Sequence, residues 1–386
     1  MIDVADREHV AIVGGGVIGC AVARELAPDY EVTVFERGDV AGGATALAAG
    51  EVTMLSSYED LPAVGWHAVD FFREYDGTGN LTFTELPSVG LVTPDRADEK
   101  RRTAERLADD GLPVTFLERD EAADRYPTFD LSDLAGLLEH GVTGFLDPYT
   151  FAITLRDDAE ADGATVHTDT PVRDVVVEGG RAVGVETDDG RVDADYVIVA
   201  AGWRTREFLL EHVPIPIRPY RTQCIVLRPD EPLPDSFPMG WYPGEHVYFR
   251  PEHNGDLLVG GWSFAEDEPE TASSQEDEAF RQHVADLVPT FLDGFDQAGY
   301  VNGWAGVDAA SPDTRPIIDA PADAPDGLLV ATGFNGRGVM TAPVAATAIR
   351  SLLTGEDAPF PLEPFSIDRF DTRSDDFEFI SISAGD

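Results

Sequence analysis

Arg337 stands in "ATGFNGRGVMTAP", residues 331–343, between Gly336 and Gly338 and with no other charged residue in the stretch. A guanidinium is a planar fork of donors that can grip a carboxylate through two bonds at once. Tyr248 and Arg250 lie two apart in "HVYFRPE". In a strand that spacing puts both side chains on one face, where a phenol and a guanidinium can share one carboxylate. Arg337, Tyr248 and Arg250 are therefore the candidates for holding a small acid. Each has a plainer reading. Arg337 can pair with an acid and cap its loop, and the other two can belong to a solvated sheet face. Arg315 in "SPDTRPII" reads as a surface salt bridge, and Trp304 and Trp262 as pocket wall or core. His67, His140, His246 and His253 fall into no pairing that suggests an acid–base couple.

A redox or group-transfer cofactor is signalled at the other end of the chain. "HVAIVGGGVIGCAVARELAPDYEVTVFERG" predicts a strand over 10–13, a turn with Gly14, Gly16 and Gly19, a helix to residue 26, and a second strand over 31–35. The glycines give a tight turn, close approach of a pyrophosphate, and close helix–strand packing. Val17 and Ile18 open the helix, whose N-terminal N–H groups and dipole favour phosphate. Glu36 follows the turn by about twenty residues, where an acid accepts ribose hydroxyls and repels a 2′-phosphate. Cys20 reads as a small core residue.

The segment that follows, "ERGDVAGGATALAAGEV", is rich in small residues from Gly42 to Gly50. It suits a ligand longer than NAD, reaching past its pyrophosphate to a flavin ring. That reading also explains the second glycine-rich loop, at 333–338. The phosphates are already served, so this loop reads as a cradle for the flavin, followed by a helix beginning near Thr341 whose positive end faces the ring.

Between these ends the pattern is mixed. Helices are expected over 60–77, 95–110 and 148–161. Turns at "EGG" and "DDG" mark a hairpin, and "ADYVIVAAG" reads as a buried strand. "QCIVLRP", "HVYFRPE" and "DLLVGGW" suggest an antiparallel sheet, and residues 265–298 an acidic helical cover. The fold class is α/β: a discontinuous Rossmann-like nucleotide domain over 1–80, 146–212 and 318–386, with a substrate domain on a mostly antiparallel sheet over 81–145 and 213–317.

The charge is extreme. The 386 residues carry 73 acids against 27 bases, a formal net charge of −46, and Lys100 is the only lysine. The acids are spread through loops and helix faces. Such self-repulsion points to a halophilic, salt-adapted protein, and it argues against nucleic acid and anionic membranes as partners. The two cysteines, Cys20 and Cys224, form no metal-ligand spacing. No leader-like segment precedes the first strand, and no apolar run approaches the ~20 residues of a membrane span. The expected location is the cytoplasm.

Taken in order, "VGGGVIG", "FERGDVAGGAT…AAG", "GFLDPYTF", "VIVAAGW", "WAGVDAASPDTRPIID" and "GFNGRGVMTAP" resemble the FAD-dependent D-amino acid oxidase superfamily. It includes glycine oxidase, monomeric sarcosine oxidase and the sarcosine and dimethylglycine dehydrogenases. The resemblance implies that Gly14, Gly16, Gly19 and Glu36 hold the ADP half of FAD. It implies that Arg37 and the segment Gly42, Gly43, Ala44, Thr45 to Ala48 and Ala49 wrap the pyrophosphate and flavin. Val172 would lie against the adenine, and Ala201 and Gly202 would line the cleft. Gly333, Phe334, Asn335, Gly336, Arg337, Gly338, Val339 and Met340 would lie along the isoalloxazine. The implied chemistry is oxidation of a C–N bond to an imine. Gly306 and Leu47 stand where relatives attach flavin through cysteine or histidine, so non-covalent FAD is expected. Leu258 and Met340 stand where sarcosine oxidase has lysines for oxygen and for substrate. This favours a dehydrogenase with an undefined electron acceptor. The alternatives are an FAD-dependent 2-hydroxy acid or glycerol-phosphate dehydrogenase, and a non-catalytic FAD-binding assembly factor.

Overall fold

The computed structural model describes residues 7–381. Two large sheets organise it. The first has six strands in the order 317–319, 328–332, 196–199, 9–13, 31–35, 165–167. His9–Val13 pairs in parallel with Glu31–Phe35 on one side and Tyr196–Val199 on the other. Residues 10–13, 32–35 and 197–199 are buried throughout, as continuous apolar runs covered on both faces must be. The edge strand Ile317–Asp319 is antiparallel to Leu328–Thr332.

Three helices pack together on one face of this sheet: Val17–Leu26, Pro148–Ala161 and Gly338–Thr354. They are rich in alanine, and small residues let helix axes approach closely. Asp147 caps the second helix, its carboxylate accepting from the Thr150 N–H at 2.7 Å.

The last helix begins at Gly338, three residues before the expected start at Thr341. Pro343 is inside it. The proline ring fixes a helix-compatible φ and removes only one intrahelical bond, so it does not mark the boundary that its residue type suggests.

The second sheet has eight strands, with Arg218–Arg228 between Gly299–Ala310 and Leu257–Ala265. Val247–Pro251 and Met239–Tyr242 follow, and the sheet continues into Ser88–Val92, Gly136–His140 and Val114–Glu118. All pairings are antiparallel except Met239–Tyr242 with Ser88–Val92. The long strand at 299–310 was not foreseen as a strand; its small residues and glycines give a weak β signal. Glu278–Leu287 covers the outer face through Phe280, Val284 and Leu287, with Phe129, Phe237, Phe249 and Phe291 in the same core. Among the described residues no helix is long and apolar enough to cross a membrane.

Candidate active site

A cavity of about 950 Å³ is lined from both sheets. That volume is at the upper end of the ~300–1,000 Å³ typical of small-molecule sites. The glycine turn lines part of the cavity. Gly14 has φ +111°, and a Cβ there would lie 2.4 Å from the Ala200 carbonyl oxygen. A Cβ on Gly19 would lie 1.9 Å from the Gly14 oxygen. The helix can sit this close to the turn only because both positions lack side chains. Gly16 faces the cavity, where a Cβ would meet only the Thr45 hydroxyl, at 3.4 Å.

Thr45 lines the cavity as well and has a second task. Its Oγ1 accepts from the Val17 N–H at 3.1 Å, so one first-turn amide is already satisfied by the chain. Glu36 lines the cavity, and its carboxylate accepts from the Gly15 N–H at 2.8 Å and the Gly38 N–H at 2.9 Å. Those bonds fix its orientation, and each oxygen keeps a lone pair for a ribose hydroxyl. Arg37, Gly42, Gly43, Ala44, Ala48, Ala49, Val172, Ala201 and Gly202 line the same cavity with Val17 and Ile18.

The second glycine loop forms part of the opposite wall. Phe334, Gly336, Arg337, Gly338, Val339 and Met340 line the cavity, while Gly19, Gly333 and Asn335 lie behind its surface. Asn335 is buried with φ +51°, and its Oδ1 accepts from the Ser311 N–H at 2.8 Å. The Gly336 N–H donates to Asp308 Oδ2 at 2.8 Å. That amide is therefore committed to the protein. The first-turn N–H groups of the helix, at Gly338, Val339 and Met340, are the ones without intrahelical partners.

Arg337 caps this helix and lines the cavity. Its Nη1 donates to the Thr314 carbonyl at 3.4 Å, and it makes no ion pair among the described residues. Burial lowers its pKa from the ordinary value. Tyr220 lines the wall beside it, with its hydroxyl 3.3 Å from Asp308 Oδ2. Burial raises the pKa of Asp308 against the bonds from Ala309, Gly336 and Tyr220.

The structure separates Tyr248 from Arg250. Tyr248 lines the cavity, with its hydroxyl 3.6 Å from Cys224 Sγ. Arg250 is buried outside the lining. Its Nε donates to the Ala49 carbonyl at 2.6 Å, Nη1 to the Pro251 carbonyl at 3.0 Å, and Nη2 pairs with Glu252 at 3.2 Å. The guanidinium also stacks over Phe145, 4.7 Å from the ring centroid. It is oriented towards the backbone of the small-residue segment, so the shared-carboxylate expectation does not match the geometry.

Other candidates resolve plainly. Arg315 pairs with Asp60. Trp304 donates to the Leu47 carbonyl at 2.9 Å, and Trp262 packs on Phe280 and His283. Cys20 is buried in the core, its thiol pushed up to about 12 by burial. Leu258 is a buried residue packed with Ala49, Cys224 and Val226.

Several cavity residues were not anticipated: Glu51, Lys100, His140, Tyr220, Trp241 and Asp308. Lys100 is the notable correction. The sequence places it on a polar helix, yet that helix, Ala97–Asp109, brings it to the cavity wall near His140 and Trp241. Burial lowers His140 to about 4, so it is neutral above that pH. These residues come from strands and a helix far apart in sequence, and no local spacing signals them.

The glycine cradle, the oriented acid and the large cavity fit a dinucleotide with a second, ring-bearing half. Residues 9–352 match the family described as DAO, FAD dependent oxidoreductase. The chain belongs to this family. FAD is its cofactor, and its fold is the family's. It is 27% identical over 380 residues to a glycine oxidase of Geobacillus kaustophilus, covering 94% of this chain and 97% of that one. The crystal structure of glycine oxidase from Geobacillus kaustophilus superposes with TM-score 0.83 at 24% identity, over 94% and 99% of the two chains. That of L-proline dehydrogenase from P. horikoshii does so with TM-score 0.84 at 22% identity, over 93% and 96%.

Proposed function

We propose that this member of the DAO family oxidises the C–N bond of a small amino acid, primary or N-methylated, or of proline, and that it is a dehydrogenase rather than an oxidase. The observation that carries the substrate class is Arg337. In a chain with 73 acids, this half-buried cavity arginine has no carboxylate partner among the described residues. A substrate carboxylate supplies one, through charge-assisted bonds. The relatives named above are an amino acid oxidase and an amino acid dehydrogenase by name.

Bound FAD supplies the two-electron acceptor for the substrate carbon–hydrogen bond, leaving an imine that water hydrolyses. Gly14, Gly16, Glu36 and the 42–49 segment would hold the adenosine and pyrophosphate. Gly336 to Met340 would lie along the flavin, where the first-turn N–H groups of the helix at Gly338, Val339 and Met340 are available to it. Arg337 orients the substrate by its carboxylate, and Tyr220 and Tyr248 shape the wall beside it. Arg250 is a positioning residue that fixes the Ala49 carbonyl.

The dehydrogenase assignment rests on Leu258 and Met340. Leu258 is packed in the interior and Met340 lines the cavity, with the Thr53 hydroxyl 3.7 Å from its sulfur. Neither offers a cation at the flavin. Lys100 is on a different element from both, the helix Ala97–Asp109, beside His140. FAD is held non-covalently, the enzyme works in the cytoplasm, and its surface is adapted to high salt. Anaerobic mixing with a panel of amino acids and hydroxy acids tests the substrate class: bleaching by hydroxy acids alone overturns it.

A further inference from the structure

Glu51 follows the 42–50 segment, in the short strand Glu51–Val52 that pairs with Gly144–Phe145. It lines the cavity that also holds Tyr248 and Arg337. Its Oε1 is shut off from solvent and has no hydrogen-bond partner. Among the described residues it forms no ion pair either; the nearby Arg250 is engaged with Ala49, Pro251 and Glu252. Buried acceptors are almost always satisfied, and a buried carboxylate left alone is costly. An orphaned carboxyl oxygen on a ligand cavity is explained by a ligand that brings a cation.

We propose that Glu51 binds the ammonium group of an amine substrate and takes its proton. The inference rests on the amine reading above. The transfer is a proton transfer only. One N–H bond of the ammonium breaks, an O–H bond forms on the Glu51 carboxylate, and the nitrogen keeps the electron pair. Total charge is unchanged, while both partners become neutral in a site where charge is unfavourable. The nitrogen lone pair is then available when the adjacent carbon is oxidised.

The groups facing Glu51 support this role. Arg250 and Tyr248 approach from Val247–Pro251, and Cys224 from Arg218–Arg228. Burial pushes the Cys224 thiol to about 12 and holds the Tyr248 phenol well above its usual range. Both stay neutral through physiological pH, as does the more distant Tyr220, which burial also raises. Glu252 is already paired to Arg250. Burial raises Glu51 itself to about 8, with Arg250 opposing, so it is the group of this cluster that titrates between pH 6 and pH 9. A base works best when its pKa is near the working pH.

The test is the rate of anaerobic flavin bleaching against pH, in high salt, for the wild-type holoenzyme and Glu51→Gln. The wild-type rate rises with pH through about 8. The variant binds FAD but loses that limb, bleaching roughly 10²-fold more slowly at pH 8 and recovering only as the amine loses its own proton. If Glu51→Gln does not retain FAD, Glu51→Asp takes its place, and the limb moves to a different pH. An unchanged limb in the variant overturns the proposal, as does a shifted flavin spectrum with no change in the limb, which assigns Glu51 to the cofactor. Failure of every amine to bleach the wild type is a different result: it defeats the amine reading itself.

Discussion

Leu47 and Gly306 meet at the cavity wall: a Cβ on Gly306 would lie 3.0 Å from the Leu47 Cβ. These are the two positions that the family resemblance marks for covalent attachment of flavin. They form one contact, and neither carries a nucleophile. The two cysteines are buried with raised pKa values, which suppresses the thiolate needed for attachment. Acid precipitation should therefore release all the yellow colour into the supernatant. Flavin absorbance that stays with the pellet contradicts the account.

Arg337→Ala should weaken binding of a carboxylate substrate on the order of 10²-fold, about 3 kcal/mol, with FAD retained and its reduction potential unshifted. Arg337→Lys should recover only part, because an ammonium cannot form the planar two-bond grip. Substrate titration monitored by flavin absorbance, together with potentiometry, separates this from a flavin-tuning role, in which the potential moves and substrate affinity does not.

Arg250→Met should leave the substrate dissociation constant nearly unchanged. It removes the donor to the buried Ala49 carbonyl, so stability should fall by about 1–3 kcal/mol and FAD should bind more weakly. Denaturant unfolding in high salt and fluorescence of released flavin read the two effects. A selective loss of substrate affinity would return Arg250 to the anchor role suggested by its spacing from Tyr248.

The glycine turn shows what was legible from sequence. Gly14 and Gly19 are dictated by backbone contacts of 2.4 and 1.9 Å, and steric demands of that kind constrain residue type directly. Glu36 and the small-residue segment were legible for the same reason, since their tasks are local. Arg250 misled because strand alternation gives the face but not the neighbour: the Ala49 carbonyl is 201 residues away in sequence. Lys100, Trp241 and Glu51 reach the cavity through pairing of strands and helices that no short motif encodes. The early start of the final helix was hidden by Pro343, whose usual place is the first turn.

The net charge of −46 predicts a strong salt dependence. Most arginines are already paired with acids across the surface, as in Arg101 with Asp98 and Glu118, or Arg173 with Asp188. The remaining acids repel one another. Raising KCl from about 0.1 M to about 1 M shortens the screening length from ~10 Å to ~3 Å, so the melting temperature should rise steeply. A melting temperature that is flat or falls over this range contradicts salt adaptation.

The most direct test is anaerobic bleaching of the bound flavin in high salt by a panel of D-amino acids, N-methyl amino acids, proline and 2-hydroxy acids, followed by admission of air or a quinone. The account predicts bleaching by at least one amino acid and by no hydroxy acid, with slow return of colour in air and fast return with the quinone. Bleaching by hydroxy acids alone, or by nothing in the panel, would contradict it.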